Sequence, residues 1–162
     1  MTLYLMDANV LIRAHADYYP LDRLAPFWAW LLMRAEAGEV SVPLEIYEEI
    51  CKSPDLLGQW LRRPEVRKVI VLDEPTNMAS VQQVIAAGYA SDLNDIELLS
   101  LTRDPFLIAA ALGGPDRVVV TREVSRPSKQ RANRKVPDVC ATMGIECISD
   151  FELWRRLDFR LE

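Results

Sequence analysis

Short, predominantly apolar segments constrain this chain most. They lie at residues 2–6 (Thr-Leu-Tyr-Leu-Met), 40–42, 66–72, 117–120 and 145–148. A strand with one wet face alternates apolar and polar side chains. An unbroken apolar run needs cover on both faces, as in a parallel sheet flanked by helices. Helical patterns fall between the runs, at 23–38, 44–52, 53–62, 77–87, 93–101 and 104–112, then from Pro137 and over 151–157. Gly38 reads as the C-cap of the first long helix, and Gly113-Gly114-Pro115 breaks a later one. Strands alternating with helices predict an α/β fold. With no linker, repeat or low-complexity tract, residues 1–162 read as one domain.

Half of the residues are apolar, enough for a full core. The longest apolar run, residues 24–33, is too short to span a bilayer, so no membrane partner is expected. The first seven residues lack a basic segment, and no signal peptide is expected. Cys51, Cys140 and Cys147 are odd in number and contain no C-x-x-C pair. They read as unpaired thiols of a cytoplasmic protein rather than a zinc site or disulfide framework. His15 is the only histidine, which excludes His-rich metal sites and argues against a Ser-His-Asp triad. Lys and Arg number 19 against 24 acids, a net charge of −5. Binding nucleic acid by overall charge is thereby excluded; a local basic patch or a metal would be needed.

Ligands of open parallel sheets bind beyond the carboxyl ends of the strands. Asp7-Ala8-Asn9 follows the first run and Thr121-Arg122-Glu123 follows the fourth. Glu48 and Glu49 lie on the helix after the second run, and Asp104 opens the helix before the fourth. Each acid has a structural use of its own. Asp104 can cap a helix ahead of Pro105, and Asp7 and Asn9 can cap the first helix. Glu48 and Glu49 can form a solvated face, and Glu123 can be an exposed loop acid. Taken together, a sheet edge gathering carboxylates without matching histidines suits a hard cation, Mg²⁺ or Mn²⁺. The second acid is Glu48 or Glu49; Glu49 is preferred, because it lies beside the buried stripe marked by Ile46 and Ile50.

Four segments resemble the motifs of the PIN domain (PilT N-terminus) nucleases, in that family's order: residues 4–12 with Asp7 and Asn9, the helix carrying Glu49, Asp104-Pro105-Phe106-Leu107-Ile108-Ala109-Ala110, and Val119-Val120-Thr121-Arg122-Glu123. The tail around residues 135–140 resembles an uncharacterised prokaryotic subgroup related to toxin ribonucleases. Glu123 departs from the family, which mostly has Asp or Asn there. The extra methylene implies an altered second metal site or contact through water.

The resemblance implies a three-layer α/β/α sandwich with strand order 3-2-1-4-5. It also implies an Mg²⁺- or Mn²⁺-dependent endoribonuclease, with Asp7, Glu49, Asp104 and Glu123 as metal-binding catalytic acids and Asn9 and Thr121 supporting them. RNA would be the substrate, and an antitoxin protein a partner. A PIN-like RNA- or protein-binding module without catalysis is the alternative. A phosphatase-like use of Asp7 as nucleophile lacks a Gly-rich phosphate loop.

Arg122, Arg126, Lys129, Arg131, Arg134 and Lys135 fall within fourteen residues holding one acid, Glu123. This loop leaves the fourth run at the same edge and is expected to track the RNA backbone. Tyr18, Tyr19, Phe27, Trp28 and Trp30 form an aromatic group read as core or homodimer contact in preference to base stacking. Trp60 and Trp154 read as core or interface.

Overall fold

β1 (Leu3–Met6) buries Tyr4, Leu5 and Met6 in succession. Successive strand side chains point to opposite faces, so both faces of the sheet are covered. In the computed structural model, which describes residues 1–161, β1 is flanked in parallel by β2 (Val40–Ser41) and β3 (Arg117–Val120). β4 (Glu146–Ile148) extends the sheet beyond β3, giving one four-stranded parallel sheet in the order β2-β1-β3-β4. The expected α/β class with a parallel sheet is observed, and the covered faces are compatible with three layers.

The helices are α1 (Ala8–Arg13), α2 (Ala25–Glu36), α3 (Leu44–Ile50), α4 (Leu56–Leu61) and α5 (Pro64–Ile70), followed by α6 (Met78–Gln83), α7 (Asp95–Ser100), α8 (Asp104–Ala111), α9 (Val136–Met143) and α10 (Asp150–Arg156). None is long and apolar enough to cross a membrane. Gly38 takes a φ of +77° just beyond α2, the left-handed turn that ends a helix at little cost to glycine.

The expected strand over 66–72 is corrected, and with it the five-stranded order 3-2-1-4-5. Pro64 opens α5 where its missing N–H costs nothing, and Glu65 lies in the first turn. Val66 and Ile70, one helical repeat apart, are its buried residues. Packing of that face overrides the β-propensity of Val69-Ile70-Val71. Only a single parallel bridge, Val71 with Val42, remains beside β2. α7 is capped by Asn94 in a reciprocal capping box with Glu97. α6 runs on into a π turn, Val84–Tyr89, where a plain helix was expected.

The aromatic group is core at its centre. Phe27 is fully buried, stacked on Tyr19 at 4.3 Å between ring centroids and edge-on to Trp154 and Trp28 at 5.0 and 5.2 Å. The Trp28 indole N–H donates to the Tyr19 carbonyl at 2.6 Å. Trp60 and Trp154 are buried too. His15 accepts the Leu21 amide through Nδ1 at 3.2 Å, a turn-forming role. All three cysteines are free. Replacing Phe27 by Ala should cost about 3–5 kcal/mol, read as a lower urea midpoint with an unchanged slope; a cost near zero would show the ring is not a core anchor.

Candidate functional site

β1 and β3 run in register, Met6 beside Val120, so the residues that leave them meet at one edge. The Asp7 amide continues the ladder to the Val120 carbonyl at 2.9 Å, and the Thr121 amide reaches the Ile148 carbonyl of β4 at 3.1 Å. Asp7 is only 6% exposed. Its Oδ1 caps α1, accepting the Ala8 amide at 2.7 Å. Its Oδ2 accepts the Thr121 hydroxyl at 2.9 Å and the Asn9 amide at 3.3 Å. Thr121 Oγ1 in turn accepts from Asn9 Nδ2 and from the Glu123 amide, and Asn9 Oδ1 accepts the Arg122 amide at 3.0 Å. Asn9 and Thr121 thus tie the two strand ends together around one carboxylate.

Burial pushes the Asp7 carboxyl up to about 6; the Thr121 and Ala8 hydrogen bonds oppose this, while the charges of Glu123 and Glu49 add to it. Asp104 goes further, to about 8. Burial is the main cause, and Asp7, Glu123 and Glu49 follow; the Lys135 ammonium works against them. The capping role open to Asp104 is not the one it takes. Arg103 occupies the cap position, Asp104 is the first helical residue, and no hydrogen bond reaches its carboxylate among the described residues. Glu49 is exposed at the end of α3, and its charge, not that of Glu48, acts on Asp7 and Asp104.

Glu123 is half-buried, with Oε2 accepting the Val136 amide at the start of α9 at 2.7 Å. One of its oxygens is therefore committed to a helix N-terminus. Tyr89, buried at the end of the π turn, lies in the field of Asp104 and Glu123; no feature of the sequence marked it.

The four acids influence one another, yet among the described residues no three His, Cys, Asp or Glu side chains are gathered closely enough to hold a metal as they stand. The donor chemistry fits a hard divalent cation: all oxygen, with the buried Asp7 and the half-buried Asp104 repelling each other. The spacing is open rather than a closed cage.

The basic loop is divided in its duties. Arg122 pairs with Asp150 at 3.0 Å and lies over the Phe151 ring. Arg131 holds Asp92 and Glu97 at 2.8 Å each. Arg134 donates to the carbonyls of Gly88 and Asp138. Lys135 faces the Asp104 charge. Arg126 and Lys129 are exposed, and their side chains have no partner among the described residues.

An α/β chain whose parallel sheet carries an acidic edge is thus defined by fold and site. A family model, a domain of unknown function (DUF4411), matches residues 4–161, and the chain belongs to that family. No curated protein matches it.

Asp104 sets a pH dependence. Between pH 3.8 and about 8 the native state keeps a proton that the unfolded chain releases, so stability falls as pH rises through that window. Thermal unfolding of the metal-free protein should show a loss on the order of a few kcal/mol across it. Asp104→Asn should flatten most of that slope; an equally steep slope in the variant would move the cause elsewhere.

Proposed function

We propose that this protein is a metal-dependent nuclease that hydrolyses phosphodiester bonds of RNA. The observation that carries the reading is the repulsion between a buried Asp7 and a half-buried Asp104, with Glu49 and Glu123 acting on both. Carboxylates held in this way cost stability, and a divalent cation converts that cost into binding. The order of the acids along the chain, with its resemblance to PIN nucleases, supports the same reading. So does a finer view of the fold as a three-layer PIN-like sandwich.

Asp7 and Asp104 would hold Mg²⁺ or Mn²⁺, with Glu49 and Glu123 as direct or water-bridged partners. Such an ion supplies Lewis acidity toward phosphoryl oxygens and lowers the pKa of water. The chain does the rest. Thr121 and Asn9 fix the Asp7 carboxylate in one orientation. Lys135 supplies positive charge beside Asp104. A cavity of about 370 Å³, lined by Thr121, Glu123, Pro137, Ile148 and Phe151, opens on the same edge beside Glu123. Arg126 and Lys129, exposed and without partners among the described residues, would contact phosphates. Pairing as a toxin with an antitoxin protein belongs to this proposal and rests on the resemblance.

A second reading, a non-catalytic RNA- or protein-binding module, draws on the open spacing of the acids and on the Glu123 oxygen spent at α9.

The two readings separate in a cleavage assay on mixed single-stranded RNAs. With Mn²⁺ or Mg²⁺ the wild type should cleave, EDTA should stop it, and Asp7→Asn and Asp104→Asn should each lose at least about 100-fold. Absent cleavage would favour the binding module, and metal-independent cleavage would overturn the metal-dependent reading. In the Asp104→Asn background, Arg126→Ala with Lys129→Ala should lower the slope of log K against log salt for a short RNA by about 1.4, two single-strand phosphate contacts. An unchanged slope would remove these two residues from the interface.

A further inference from the structure

Tyr89 is 8% exposed, and its hydroxyl is buried without a hydrogen-bond partner among the described residues. A buried hydroxyl left unpaired is costlier than the hydrogen bond it would normally make, and Phe would fill the same space without that cost. The ring is held firmly in place. It ends the π turn Val84–Tyr89, a helix form frequently found at functional sites. Gly88 before it lets the turn touch α9: a Cβ there would stand 2.6 Å from Val139 Cγ1. Arg134 bonds the Gly88 carbonyl and the Asp138 carbonyl, clamping turn to helix. The hydroxyl so held faces the charges of Asp104, Glu123 and Asp7. Asp104 itself receives no hydrogen bond among the described residues. α8, which Asp104 opens, packs against the π turn that Tyr89 ends, so two polar groups without hydrogen-bond partners among the described residues lie on neighbouring elements at the acidic edge.

We propose that Tyr89 is a positioning residue of the acidic site, its hydroxyl forming one hydrogen bond to a water molecule carried by a divalent cation bound at Asp7 and Asp104. A phenol hydroxyl accepts from such a water and donates to a neighbouring carboxylate, so one group completes two unpaired partners. Arg134, read from the sequence as an RNA contact, serves here to hold the turn that places Tyr89. This inference rests on the metal-binding reading above and adds a residue to it.

The test uses the full chain and Mn²⁺ alone, with affinity followed by water-proton relaxation and unfolding followed by thermal melting. Tyr89→Phe should melt at or above the wild-type temperature without metal, because no native hydrogen bond is lost. It should bind Mn²⁺ about 3–10-fold more weakly, the loss of one hydrogen bond. Tyr47→Phe is the contrast: its hydroxyl donates to the Leu61 carbonyl at 2.7 Å, so it should melt lower and bind Mn²⁺ normally. A fall in melting temperature for Tyr89→Phe like that of Tyr47→Phe, or unchanged Mn²⁺ affinity, overturns the role given to Tyr89. If Asp104→Asn weakens Mn²⁺ binding while Tyr89→Phe does not, the metal site stands and Tyr89 alone is removed from it. If wild type and Asp104→Asn bind Mn²⁺ alike, the metal reading falls and takes the Tyr89 role with it.

Discussion

The parallel pairing of β1 with β3 is the constraint on which the rest depends. It sets Met6 beside Val120 and so brings Asp7, the first residue past one strand, against Thr121, the first past the other. A slip of one residue would turn every apolar side chain of β1 to the opposite face and separate this pair. Burial of Leu5, Met6, Val119 and Val120 on both faces opposes such a slip. The same burial removes water from Asp7. Hydrophobic packing and the perturbed acid thus have one origin.

The chain meets the cost of that buried acid only in part. Asp7 receives the Ala8 amide, the Thr121 hydroxyl and the Asn9 amide, and burial still outweighs them. Asp104 receives no such help and is shifted further. Stability and binding capacity are opposed here: the groups that would welcome a cation weaken the fold when they are ionised without one. Lys135 softens the conflict from inside the chain.

The loop between β3 and α9 shows how an acidic protein distributes its cations. Arg122, Arg131 and Arg134 are drawn inward to Asp150, to Asp92 and Glu97, and to backbone carbonyls of the π turn and α9. These contacts order a segment with little regular structure and fix the entry to α9, where Glu123 and Asp138 also bond the chain. A run of basic residues that looks like one patch in the sequence divides into structural clamps, Lys135 beside Asp104, and two exposed side chains, Arg126 and Lys129, without partners among the described residues.

By itself, the sequence determined the parallel α/β character, because unbroken apolar runs can be satisfied only by cover on both faces. It also marked Asp7, Asn9 and Thr121, since residues just past buried strands must lie at the sheet edge, and it placed the unpaired cysteines; that the Phe27 group is core rather than homodimer contact needed the structure. Only the tertiary structure decided the rest. Residues 66–70 are helical because the Val66 and Ile70 face packs inward, a choice local β-propensity could not make. Asp104 is an unbonded acid and not a cap because Arg103 takes the cap position. The charge of Glu49, not that of Glu48, acts on Asp7 and Asp104, a distinction that needs the placement of α3. Tyr89 left no trace in the sequence, since its place depends on a π turn pressed against α9 through Gly88. Strand ends are dictated by patterns along the chain; which groups face one another across a cleft is dictated by packing between distant segments, and that information is held in no single stretch of residues.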